Sequence, residues 1–179
     1  MKFDLRTFKT VLGYGLTRIE KITGIRFRGK SCDSVFNFLQ INSNIATSGQ
    51  PSKEQFEAIQ QAGYKKVINL APHDIENALA NEAAVVADLG MDYINIPVDF
   101  NNPTEHDFAQ FINHLHSYQS QKIWVHCAAN MRVSAFIFRY RTAILNENRQ
   151  IAEADLFKTW RPNALWRKFI DKPAHNLRT

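Results

Sequence analysis

"KIWVHCAANMRVSAFIFRY", residues 122–140, opens with aromatic and β-branched residues and closes on a nearly unbroken apolar run. Its first six residues read as a strand, 122–127, and the apolar run predicts a helix from about Val133 to Leu145. "VSAFIFRY" is apolar nearly all round at its start, so that helix is expected to be central and buried. Between strand and helix lies a short loop, 127–132, carrying a cysteine and an arginine.

The flanking segments repeat the alternation. "FLQINSNIATSGQ" reads as short extended pieces ending in a turn at Ser48-Gly49. "PSKEQFEAIQQAG" reads as a helix, with Ser52 and Gln55 as a capping box and Gly63 at its C-terminal stop. "KKVINL", 65–70, is a β-branched strand. Residues 74–89 read as a helix with Asp74 early and Gly90 at its end, and "MDYINIPV", 91–98, as a further strand. Thr104 with Asp107 opens another helix, whose Phe108, Phe111, Ile112 and Leu115 share one face. A helical pair, roughly 150–160 and 163–170, closes the chain, with Trp160, Trp166 and Phe169 as its core. Strands alternating with helices predict an α/β fold: a mainly parallel central sheet flanked by helices. Such sheets bind ligands beyond the carboxyl ends of their strands, where the 127–132 loop falls.

A chain of 179 residues suits one domain, read as a basic N-terminal arm, 1–35, and an α/β domain, 36–179. No window holds the roughly 20 apolar residues of a membrane-spanning helix, and "MKFDLRTFKTVLGYG" lacks the apolar core of a secretion signal. Two cysteines, Cys32 and Cys127, make no disulfide framework, which favours a reducing cytoplasm. Residues 1–30 carry eight Lys/Arg against two Asp/Glu, +6, and residues 156–179 six against one, +5. With +5 overall, the stretch between them is −6. The basic ends either keep the chain soluble or attract an anionic membrane surface or an acidic partner. In the arm, Phe8, Val11, Leu12, Gly15, Ile19 and Ile22 approximate a helical stripe that Gly13 and Gly15 weaken. Nothing matches a nucleic-acid-binding motif.

A cysteine between a strand end and a helix start meets unpartnered amides and the positive end of the helix dipole, which favour the nucleophilic thiolate. The same amides, from Ala128, Ala129, Asn130 and Met131, can cradle a tetrahedral oxyanion. Arg132 adds a planar two-pronged grip on two of its oxygens. Asn130 tolerates the left-handed backbone a tight anion loop requires.

"VHCAANMRVS" resembles the phosphate loop of the cysteine-dependent protein tyrosine and dual-specificity phosphatases: His-Cys, five residues, Arg, then Ser or Thr. With "NIATSGQPSKEQFEAIQQAGYKKVINL" and "YINIPVDFNNPTEHDF", it is similar to the bacterial phosphatase-like family also found fused to β-lactamase-like hydrolases. The similarity runs from about Asn44 to Tyr140. The loop departs from the pattern in having four residues between Cys127 and Arg132, with Asn130 where the middle glycine belongs, while Ser134 keeps its place seven after the cysteine. Either one residue is deleted and Ser134 has moved outward, or the arginine sits one place early, about 100° round a helix.

The resemblance implies a two-step mechanism: Cys127 attacks phosphorus, an acid protonates the leaving oxygen, and water releases phosphate from the cysteinyl-phosphate. It implies Asp99, in "IPVDFNNPT", as the acid, with Asp107 and Glu105 behind it. It also implies Ser134 as a hydroxyl steadying the thiolate and His126 as an orienting residue beneath the loop, though His126 reads equally as a satisfied buried imidazole. His73 and Asp74 are candidates for the same mouth, Asp74 also for a helix cap. No cofactor is expected. No metal site is expected either, since His114 and His116, near His106, do not face together. The substrate would be a phosphorylated protein or a small phosphomonoester. Two alternatives stay open: a rhodanese-like sulfurtransferase carrying a persulfide on Cys127, for which the short loop speaks, and a non-catalytic phospho-ligand binder. Cys32 reads as an ordinary small apolar residue, or as a redox partner for Cys127.

Overall fold

Residues Lys122–His126 run through the middle of a five-stranded sheet. The computed structural model describes residues 4–24, 28–117 and 120–173. In chain order these form α1 (Leu5–Thr23), β1 (Leu39–Gln40), β2 (Ile45–Ser48), α2 (Lys53–Gln61), β3 (Tyr64–Asn69), α3 (Glu82–Asp88) and β4 (Asp92–Asn95). They continue with α4 (Glu105–His116), β5 (Lys122–His126), α5 (Met131–Arg139), a π-helical turn (Tyr140–Ile144), α6 (Arg149–Thr159) and α7 (Ala164–Ile170). The strand order is β1-β2-β5-β3-β4. Only the edge pair β1–β2 is antiparallel; β5 runs parallel to both neighbours, so this is the expected mainly parallel sheet.

Side-chain alternation along β3 and β5 sorts the core into two layers. Val67 and Trp124 point to one face and pack with Phe56 and Ile59 of α2 and Val86 of α3. Ile68, Ile123 and Val125 point to the other, against α4, α5, α6 and α7. There Phe108, Phe111, Phe136, Trp166 and Phe169 meet in a largely edge-to-face aromatic cluster. The capping boxes are as read: Ser52 with Gln55 on α2, and Thr104 with Asp107 on α4. Gly63 follows α2 at φ 87°.

One expected helix is mostly absent. Of residues 74–89 only Glu82–Asp88 is helical, and 71–81 leaves β3 as a loop. Asn81 sits at φ 55°, a left-handed angle through which a right-handed helix cannot run. Asn77 is buried there, and its amide is spent on groups outside the segment. The helix expected from Val133 begins at Met131 and turns π-helical from Tyr140.

The first helix is docked on the domain. Its two buried residues are threonines, Thr10 and Thr17, and Thr10 Oγ1 donates to the Thr159 carbonyl at 2.5 Å. Gly13 is no weakness here, because a Cβ at that position would lie 2.4 Å from the Phe36 ring. Of ten exposed large apolar side chains among the described residues, seven are on α1. No helix among the described residues is long and apolar enough to cross a membrane.

Candidate active site

Cys127 directly follows β5, and Asn130 caps α5 at φ 65°, the left-handed angle expected of it. The loop's carbonyls are held away from the cysteine. Ala128 O accepts from the Gln50 amide at 3.3 Å and from Asn77 Nδ2 at 3.1 Å, and Ala129 O accepts from Asn37 Nδ2 at 3.0 Å. Asn130 Nδ2 in turn donates to Asn37 O at 2.7 Å and Thr47 Oγ1 at 3.0 Å. None of the Met131, Arg132 and Val133 amides has an acceptor among the described residues. The first internal bond of α5 is Ser134 N to Asn130 O, 2.9 Å. Free amides and the helix dipole thus converge beside the thiol, where an anion is stabilised.

Cys127, Ala128, Ala129, Met131 and Arg132 line one cavity of about 200 Å³, closed by Val11 and Tyr14 of α1, Ile75 and Phe100. Arg132 is the second residue of α5. Its Nε donates to the Val98 carbonyl at 2.9 Å and its guanidinium lies 5.2 Å from the centre of the Phe100 ring. No carboxylate among the described residues pairs with it. The arginine is thus held at the mouth by the 98–100 segment, its terminal nitrogens left for a ligand. A larger cavity, about 380 Å³, lies on another side of α1, lined by Glu20, Arg28 and Gln55 among others, and holds no cysteine.

The other expected residues are placed as follows. His126 is fully buried, with Nε2 3.1 Å from Glu82 Oε1 but off the line of its N–H. Glu82 also accepts from Asn69 Nδ2 at 3.0 Å and from Gln50 Nε2. Burial alone would raise its carboxyl; His126, Gln50 and Tyr93 together hold it below the usual range. Ser134 is not hydrogen-bonded to the thiol. Its hydroxyl donates to Met131 O at 3.1 Å and accepts from Trp160 Nε1 at 3.2 Å, tying α5 to α6. Asp99 is exposed and outside the cavity lining, its Oδ1 accepting from the Asn101 amide at 2.8 Å, while both its neighbours reach the site. Glu105 is engaged by the buried Arg139 through two bonds of 3.0 and 2.6 Å, and Asp107 is the partner in the α4 capping box. Asp74 and His73 are exposed on the 71–81 loop, and it is Ile75 that reaches the cavity. Cys32 opens a 3₁₀ turn and packs partly buried against the α2–α3 layer.

Residues that sequence reading passed over include Asn37, Asn77 and Glu82, which hold the loop and its histidine. Tyr14 is another, its phenol raised by burial first and then by the Glu76 charge, so that it remains a donor at the mouth. Trp166, read from the sequence as core alone, also serves the site: its Nε1 donates to the Phe100 carbonyl at 3.0 Å and braces the loop that holds Arg132.

Comparison with known proteins agrees with this geometry. The chain is 32% identical over 97 residues to a β-lactamase hydrolase-like protein of Xylella fastidiosa, covering 52% of this chain and 22% of that protein. A crystal structure described as a candidate phosphatase (DUF442) from Shewanella putrefaciens CN-32 is 31% identical, with TM-score 0.69 over 76% of this chain and 87% of that one. The catalytic core of the PP-IP phosphatase SIW14 of S. cerevisiae has TM-score 0.67 at 18% identity, over 80% of this chain and 89% of that one, a likeness of fold alone. Residues 30–167 match the family described as "DSP-PTPase phosphatase fused to NAD+ Kinase". That match covers well over half of the chain and fits a strand-to-helix loop that brings a cysteine and an arginine to one cavity: the chain belongs to the DSP-PTPase phosphatase family.

Proposed function

We propose that Cys127 is the nucleophile of this phosphatase and that the 127–132 loop is its phosphate cradle, with residues 36–179 as the catalytic unit. The observation that carries this reading is the cavity shared by Cys127 and Arg132 at the start of α5, whose Met131, Arg132 and Val133 amides have no acceptor among the described residues. The thiolate attacks phosphorus, forming the S–P bond as the P–O bond to the leaving group breaks. The free nitrogens of Arg132 and the amides of Met131–Val133 hold the equatorial oxygens, where charge accumulates. Water then cleaves the S–P bond. His126, backed by Glu82, orients the loop from beneath, and Ser134 positions the first turn of α5 through Trp160.

We assign the leaving-group proton to Asp99. Its neighbours Val98 and Phe100 both touch the site, whereas Glu105 and Asp107 are committed to Arg139 and Thr104. The substrates are phosphomonoesters on proteins or small molecules. A catalytic thiol has to stay reduced, which suits the cytoplasm. The Cys127→Ser variant should lose aryl-phosphate hydrolysis while its melting temperature stays near that of the parent. Retained turnover would remove the cysteine from the mechanism, and thiocyanate release from thiosulfate and cyanide would move it to sulfur transfer. Asp99→Asn should lower kcat by about 10²–10⁴ on esters with poor leaving groups. An unchanged rate on those esters would take Asp99 out of the acid role.

A further inference from the structure

Helix α1 is amphipathic and docked the unexpected way round. Its domain-facing edge is Thr10, Gly13 and Thr17, and these touch polar or aromatic partners in the domain. At 3.6 residues per turn, Leu5, Val11, Leu12, Leu16, Ile19 and Ile22 fall in an arc of about 140° on the opposite side. They are exposed by 60, 55, 57, 41, 46 and 80% respectively. A row of aliphatic side chains facing water along nineteen residues is the signature of a surface meant to be covered. The face is the convex back of a helix, so it offers no groove for a peptide.

We infer that α1 docks on an anionic lipid surface. The charges argue for that occupant. Residues 1–30 carry +6, and Lys9, at the edge of the aliphatic row, stands exposed with no partner among the described residues. A second copy seated on this face would set one +6 segment against another, whereas a bilayer of anionic lipid accepts the aliphatic row at the acyl boundary and Lys9 among its headgroups. Val11 and Tyr14, on one border of the helix, also close the cavity of Cys127 and Arg132. Docking therefore turns the mouth of that cavity toward the headgroups. This consequence rests on the phosphate-site reading; the docking itself rests on α1 alone.

The test is co-sedimentation of the full chain with vesicles of phosphatidylcholine, with and without phosphatidylglycerol. The parent should bind the anionic vesicles at least about tenfold more strongly, and added salt should release it. The double variant L12E/I19E, altered at exposed positions outside the cavity, should lose that binding while its melting temperature and aryl-phosphate turnover hold. K9E, which leaves the apolar row whole, should weaken binding to the anionic vesicles specifically. The inference is overturned if the parent ignores anionic vesicles or either variant binds them as the parent does. It is equally overturned if sedimentation velocity finds a stable dimer that L12E/I19E splits, since the face would then belong to a second copy.

Discussion

Helices α5 and α1 border the same cavity and turn their apolar residues in opposite directions. In α5, Val133, Ala135, Phe136, Ile137 and Phe138 are all buried, and even Arg139 is sealed beneath the rings of Phe108 and Phe169 with its charge met by Glu105. In α1 the buried residues are threonines and the aliphatic side chains face out. Helix α5 is held by the hydrophobic effect and α1 by hydrogen bonds at a few points. A helix that must aim amides at an anion has to be immobile, and α5 gains that rigidity from packing on every side. Helix α1 can be tied down by Thr10 and Thr17 and still present an apolar surface.

That contrast predicts a graded set of effects. Phe136→Ala should cost about 3–5 kcal/mol, since a buried ring leaves a cavity in the aromatic cluster; urea unfolding would show it. A cost below 1 kcal/mol would mean that the α5 layer is loosely packed, against the comparison drawn here.

Asn77→Ala should cost about 1–3 kcal/mol, because the Ala128 carbonyl loses one donor and Thr17 its partner. It should also lower kcat/KM, since the carbonyl is then freer to turn toward the thiol. Unchanged activity with lowered stability would show that the α1 attachment and the loop are independent.

Glu82→Gln should act through pH. Glu82 titrates lower in the folded chain than in the unfolded, so its contribution is present above the unfolded value and is lost as pH falls through the folded one. The parent's melting temperature should therefore drop on acidification below about pH 4.5, and the variant's should drop less. Parallel curves would place the acid sensitivity elsewhere. At the small end, Leu12→Ala on the exposed face of α1 should change stability by no more than about 0.5 kcal/mol in the same urea titration.

Several features were legible because their cause is local. Capping boxes at Ser52 and Thr104 need only neighbours three residues away, and Phe108, Phe111, Ile112 and Leu115 mark the inner face of α4 by helical period alone. The strand–loop–helix joint at 122–140 announced both the sheet and the site for the same reason. The failures are contacts at long range. Residues 74–89 carry a helical pattern, but Asn77 is claimed by Ala128, 51 positions away, and Asn81 by a left-handed turn. Asn37 looks like any loop asparagine until it meets the Ala129 carbonyl, 92 positions on. The position of Arg132 could not be decided from spacing, because what brings it to the mouth is the Val98 carbonyl and the Phe100 ring.

Sequence alone therefore determined the α/β alternation, the cysteine and arginine on one loop, and an approximate helical stripe in the first segment, since period, caps and loop composition act over a few residues. Tertiary structure decided which way that helix faces, which asparagines turn the loop carbonyls aside, and what brings Arg132 to the pocket. Those outcomes depend on polar groups finding partners that lie far along the chain, and no local pattern records where such partners will be.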